Sequence, residues 1–156
     1  MPNHCYQSVY LRGPLALMQE LHNHLSNEDP SFCSVVLPMP IVTWIIPPHG
    51  EGSYTTPAWY EWRCSNWGTK WDVCEVASLS DIEVAGVLHG DGLFGKAWFS
   101  FECWTAWAPP IPVWEKLHSL RVDVEADYED EGGEFKGQWI NGEDNCWKPD
   151  NDEELS

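Results

Sequence analysis

The feature that most constrains the fold is a run of strict alternation near the end of the chain. Between residues 122 and 128 every second residue is apolar or aromatic, and the residues between them are Asp123, Glu125 and Asp127. Side chains point alternately to the two faces of a β-strand, so this run predicts a strand with one buried face and one solvated face. Such strands are typical of antiparallel sheets that are covered on one side only.

A second alternating run, residues 135–139, follows a turn at Gly132 and Gly133. The two runs together predict a hairpin. Comparable apolar or alternating patterns predict further strands over residues 5–11, 35–37, 71–76, 82–88 and 97–103.

Two stretches have helical spacing instead. Residues 14–25 carry one stripe of Leu and Met, and residues 109–120 open with two prolines and then carry a second apolar stripe. A short helical piece is also expected near residues 57–64. Prolines at 38, 40, 47 and 48 exclude long regular structure between these elements.

The order is thus strand, helix, strands, helix, strand, strand, which is the split β-α-β pattern of ferredoxin-like domains. We predict an α+β fold in which an antiparallel sheet has two helices on one face, with an irregular Pro-rich insertion over residues 32–66 and an extra C-terminal strand. A single domain spans residues 1–141, and the acidic residues 142–156 are expected to form a frayed tail.

The chain is strongly acidic, with 25 Asp and Glu against 8 Lys and Arg and a net charge of −17. Proteins that bind nucleic acid neutralise its phosphates with Lys and Arg, so this composition argues against nucleic acid as the direct partner. The same field attracts a basic protein surface. Of the 25 acids, 13 follow residue 122, which concentrates the charge near the C-terminal end.

Sequence features that reveal location are few. No stretch of about 18 apolar residues predicts a membrane span, and the first residues lack the layout of a secretory signal. We therefore expect a cytoplasmic protein. The six cysteines form no C-x-x-C pair and are expected to be free, buried thiols.

Catalytic and metal motifs are missing from the sequence. The Cys and His residues lack zinc-ligand spacing, and the calcium-like run Asp127, Glu129, Glu131 and Gly132 has Gln138 where the last ligand, Glu, is required. No nucleophile elbow or phosphate-binding glycine loop occurs. We predict no metal, no cofactor and no enzymatic activity.

Three strings carry a family resemblance: Met1-Pro-Asn-His-Cys5, Asn66-Trp-Gly-Thr-Lys-Trp71 and Thr105-Ala-Trp-Ala-Pro-Pro-Ile-Pro-Val113. Together they resemble the YubB/Api-type ferredoxin-like family of proteins carried by phages, plasmids and genomic islands. The similarity extends from the first residue to about residue 139. It implies a fold and a mobile-element setting, but it implies no established activity, substrate or cofactor.

The residues Trp67, Lys70, Trp71 and Trp107 of these strings have two interpretations. In the structural one the three Trp pack together, with Gly68 allowing the turn between them. In the functional one they form an aromatic pocket with one Lys, suited to a flat or anionic ligand, and the chain is a small-ligand-binding or enzymatic domain.

Our main hypothesis is that the chain is a mobile-element accessory protein of the anti-CRISPR or anti-restriction type. It would bind and inhibit a host defence protein that handles nucleic acid. Its partner would be a host protein with a basic nucleic-acid-binding surface, met by an acidic surface that mimics nucleic acid. The partner-binding candidates are Asp123, Glu125, Asp127, Glu129, Asp130, Glu131 and Glu134. A structural homodimer formed through the outer sheet face is the remaining alternative.

Overall fold

Residues 3–40, 58–89 and 92–147 are described by the computed structural model of the chain. The strands are β1 His4–Pro14, β2 Cys74–Ala77, β3 Glu83–His89, β4 Gly92–Ala106, β5 Asp123–Asp130, β6 Lys136–Ile140 and β7 Glu143–Trp147. The helices within these residues are α1 Leu15–Leu25, α2 Cys33–Val36, α3 Ala58–Asn66 and α4 Ile111–Ser119.

The strands form one seven-stranded antiparallel sheet in the order β2-β4-β1-β5-β6-β7, and β3 also pairs with β4. The predicted α+β class with an antiparallel sheet is confirmed. Strand β1 lies at the centre, because β4 pairs with one of its edges and β5 with the other.

One face of this sheet is covered and the other is open. Burial alternates residue by residue along β1 and β5, as the sequence pattern predicts. The covered face meets buried side chains of α1, such as Met18 and Leu21, and of α4, such as Trp114. Apolar burial on this face is the main stabilising term of the domain.

The C-terminal hairpin is fixed to the same core. Trp139 of β6 is 1% exposed, and its ring lies 5.8 Å from the ring of Trp114 in α4. Aromatic pairs at such distances add to the free energy gained by burial alone. Strand β6 is therefore held in place by packing as well as by its backbone pairing with β5.

The predicted strand at residues 35–37 is wrong, because residues 33–36 form helix α2. The Asp72 carboxylate lies at the start of this helix and accepts backbone N–H groups from Phe32, Cys33 and Ser34 at 2.8–3.0 Å. These donors have no partner inside a helix, so a carboxylate there stabilises the first turn. Strand β2 begins at Cys74, whereas the sequence pattern predicted a strand from residue 71.

The first part of the expected frayed tail is a strand. The chain reverses at Asn141 and Gly142, which have φ values of 45° and 101°, and β7 then pairs with β6. An Asn-Gly pair is the usual sequence of a two-residue hairpin turn, because both positions need positive φ. Residues 148–156 of the predicted tail, and 41–57 of the predicted insertion, lie outside the described residues.

The cysteines are only partly buried. Cys5, Cys33 and Cys103 lie in the core as free thiols, and burial raises the pKa of Cys5 to about 12. Cys64 and Cys146, in contrast, are exposed, which corrects the expectation that all six are buried. None of the helices in the described part of the chain is long and apolar enough to cross a membrane.

We expect Asp72→Ala to lower the free energy of unfolding by about 2–3 kcal/mol, because four backbone donors and the Ser34 hydroxyl lose a charged acceptor. Urea unfolding followed by circular dichroism measures this loss. Asp29→Ala removes an exposed carboxylate and serves as the control. Equal stabilities of the two variants would contradict a capping role for Asp72.

Candidate functional site

The open face of the sheet has an acidic half and an aromatic half. Strand β5 supplies the acidic half, which we call the acidic row, consisting of Asp123, Glu125, Asp127 and Glu129. Strands β1 and β4 supply the aromatic half, consisting of Tyr6, Tyr10, Trp98 and Trp104. Directly paired residues of antiparallel strands point to the same side, and the register places Tyr6 between Trp104 and Glu129.

The acidic row is ordered, and none of its carboxylates forms an ion pair within the described residues, although Arg12 is paired opposite Asp123 and Lys136 opposite Glu129. Its members alternate with buried residues of β5, so successive carboxylates stand about 6.6–6.8 Å apart along the strand. The single ion pair within residues 3–40, 58–89 and 92–147 joins His4 to Glu131, away from this row. One Asp127 oxygen accepts a hydrogen bond from the Gln138 amide at 3.0 Å. The charge of the row is therefore available to an external partner.

Three of the predicted partner-binding acids do not belong to the row. Asp130 is 5% exposed, and its carboxylate accepts the N–H groups of Gly132 and Glu134 in the hairpin turn. Glu131 accepts the backbone N–H of His4 at 2.8 Å and contacts its ring nitrogen at 3.3 Å. Those hydrogen bonds lower the pKa of Glu131. Glu134 is exposed in the turn itself.

The aromatic half consists of half-buried rings, two of which contact each other. The rings of Tyr6 and Trp104 lie 5.8 Å apart, and the guanidinium of Arg12 lies 5.6 Å from the Trp98 ring centre. The candidate residues proposed from the sequence do not include Tyr6 or Tyr10. The alternation within residues 5–11 would have identified both, since the intervening side chains are buried.

The open face also contains a shallow depression at the edge of the acidic row. Its volume is about 340 Å³, and its walls include the side chains of Tyr6, Asp127, Glu129, Lys136, Gln138 and Trp147. Trp147 is 52% exposed and belongs to β7, the strand that was expected to be part of a frayed tail. The depression was therefore not predictable without that strand.

The four residues of the candidate Trp/Lys pocket occupy different environments. Trp67 is 1% exposed and donates its indole N–H to the Leu37 carbonyl at 2.8 Å. The ammonium of Lys70 lies 5.2 Å from the Tyr60 ring and 5.5 Å from the Trp107 ring. Trp71 instead contacts the ring of His4. Three cavities formed by the described residues are lined by none of these four side chains.

The segments 66–71 and 105–113, which carry two of the three sequence similarities, contact each other instead. Gly68 has φ 79°, and a Cβ placed there would lie 2.8 Å from Pro112. The hydroxyl of Thr69 donates to the Ala106 carbonyl at 2.9 Å and accepts its N–H at 3.0 Å. These contacts explain the residue types in both strings by packing and hydrogen bonding.

Thr69→Val should lower the free energy of unfolding by about 2 kcal/mol, because it leaves the buried N–H and carbonyl of Ala106 without the hydroxyl. Thr69→Ser keeps the hydroxyl and is the matched control. Denaturant unfolding of both variants measures the difference. A valine variant as stable as the serine variant would refute the structural role.

Glu131→Gln should remove a pH-dependent contribution to stability. A lowered folded-state pKa stabilises the protein above the unfolded value of about 4.3, and this stabilisation disappears as the pH falls through the folded value. The wild type and the variant should thus differ most at neutral pH and converge in acid. Thermal unfolding from about pH 7 to pH 3 tests this, with Glu134→Gln as the control. Parallel curves for wild type and Glu131→Gln would count against it.

Comparisons with known proteins add no relative to this description. A scan against protein-family models and searches of curated proteins and of solved structures find no match to this chain. What the open face binds therefore has to follow from its own geometry and charge.

Proposed function

We propose that this chain inhibits a host protein that handles nucleic acid, by offering its acidic row to the basic surface that normally holds phosphates. The observation that carries the proposal is the acidic row itself, in which four carboxylates lie on one accessible strand face without an ion-pair partner among the described residues. The alternation of β5 aligns these carboxylates, and because none of them forms an ion pair among the described residues, their charge can pair with the cations of a partner.

The charge density of the open face supports mimicry. The acidic row carries one charge per about 6.7 Å, which is half the linear charge of one DNA strand along its axis. Further carboxylates add to it from other strands. Glu102 lies two strands from Asp127, with Ser8 between them, and Glu143 pairs with Ile140 beside Glu125.

The proposed mechanism is competitive. Carboxylates of the acidic row pair with the Lys and Arg side chains of the target, and each pair is a charge-assisted hydrogen bond. The aromatic half supplies the apolar anchor that such interfaces need at their centre. Nucleic acid itself is a poor ligand for this face, because the carboxylates of the acidic row repel phosphates.

We further propose a ferredoxin-like core and a mobile-element origin. The strand order supports the first, because β1 lies between β4 and β5 and the helices α1 and α4 connect strands on one side. The resemblance of the three sequence strings supports the second. CRISPR effectors and restriction enzymes are therefore the target classes to test, because both hold nucleic acid in basic channels.

The two rival functions have less support. A ligand that bound the Lys70 ammonium would have to displace it from the rings of Tyr60 and Trp107. A homodimer formed by two open faces would bring one acidic row close to the other, and like charges in an interface oppose association.

Neutralising the whole acidic row tests the proposal. We expect the variant with Asp123→Asn, Glu125→Gln, Asp127→Asn and Glu129→Gln to lose the partner, with Kd raised about 30-fold or more. Affinity capture from a bacterial lysate identifies the partner, and titration of that purified protein gives Kd. Binding of the wild type should also weaken as salt rises from about 50 to about 500 mM.

The matched control neutralises four exposed acids of the helices and the loop after α1: Glu20, Glu28, Asp29 and Glu115. It has the same net charge as the test variant but keeps the acidic row. Duplex DNA should displace the wild-type chain from the captured protein. Retained binding by the test variant, equal loss in the control, or failure of DNA to compete would each sink the proposal.

A further inference from the structure

The depression beside the acidic row has a defined chemical layout. One line of directly paired residues crosses four strands, with Tyr6 opposite Glu129, Glu129 opposite Lys136, and Lys136 opposite Trp147. The next line contributes Asp127 opposite Gln138. Two aromatic walls thus flank two carboxylates at the mouth of a cavity of about 340 Å³.

A cation of the chain itself already uses part of this depression. The ammonium of Lys136 lies 5.2 Å from the ring centre of Trp147. It forms no ion pair with Glu129 within the described residues, although the two are directly paired across the strands. The Trp147 ring therefore accommodates a positive charge, while the Glu129 carboxylate remains without a direct ion-pair contact among the described residues.

We propose that this depression is the receptor for an arginine side chain of the basic partner, and that Lys136 is a built-in competitor for it. The inference rests on the proposed function, because it names the group that the acidic row receives. A guanidinium is planar, so it stacks on an aromatic face while its N–H groups donate in plane to carboxylates.

The geometry suits guanidinium better than ammonium. Gln138 holds one oxygen of Asp127 at 3.0 Å, which fixes the carboxylate on the β5 strand that also carries Glu129. A fork of N–H donors reaches two separate carboxylates, whereas an ammonium is a compact point charge. Arrival of the guanidinium requires Lys136 to leave the Trp147 ring, and this displacement opposes binding.

The test uses the full chain and acetyl-arginine amide as the probe. Titration followed by two-dimensional NMR should show saturable shifts of the Trp147 indole N–H and the Gln138 side-chain amide. Acetyl-citrulline amide, which has a similar shape without the charge, should not shift them. Trp147→Ala should weaken binding of the arginine probe about two- to five-fold.

Lys136→Met gives the decisive result, because a merely structural role for Lys136 does not predict tighter binding. Removing the competing ammonium should lower Kd for the arginine probe about two- to five-fold. Lys116→Met makes the same change in net charge on the exposed surface of α4 and should leave Kd unchanged. An unchanged or raised Kd for Lys136→Met, an equal gain for Lys116→Met, or equal binding of citrulline would overturn the inference.

The outcomes separate this inference from the proposed function. If neutralising the acidic row releases the captured partner but the wild-type chain does not bind the arginine probe, the proposed function stands and the arginine receptor is wrong. If the probe binds but neutralising the row does not release the partner, the proposed function fails, and the assignment of the depression to a partner arginine fails with it.

Discussion

The whole molecule depends on the burial of one face of β1. Its inward side chains, including Val9 and Leu11, are at most 2% exposed, and both edges of the strand are paired along most of its length. A shift of one residue in either pairing would move apolar side chains to the solvent face, so core packing fixes the register. The acidic row is a consequence of that register, because β5 has only one way to bury Val124 and Ala126.

A buried polar group reinforces the same strand. Gln7 is fully buried, yet its amide donates to the Cys5 carbonyl and to the Thr105 hydroxyl, and its oxygen accepts the Cys103 thiol. Satisfied polar groups in a core specify one arrangement, since any slip leaves them unpaired. The Thr105 hydroxyl in turn donates to Ala108, which connects β1 to the segment before α4.

The periodicity of the sequence predicted those helices and strands whose formation depends on residues close together in the chain. The alternation over residues 122–128 and the helical stripe of residues 14–25 each identified an element and its buried side. Helix α2 was not predictable in this way, because its cap, Asp72, is nearly 40 residues distant. Strand β7 does have a sequence signal in the Asn141–Gly142 turn, but the acidic composition after this turn is more typical of a frayed tail.

The candidate site was predictable only in part, for a related reason. Sequence placed Asp123, Glu125 and Asp127 on one face, and the structure agrees. Asp130 and Glu131 were grouped with them by charge alone, whereas hydrogen bonds within the turn and to the distant His4 decide where their carboxylates lie.

The edge strand β7 has a consequence of its own. Strand β7 ends the strand order and carries Glu143 and Asp144, and charged residues on a terminal strand discourage another chain from extending the sheet by backbone pairing. The charges of β7 therefore act against aggregation by strand addition at this end of the sheet.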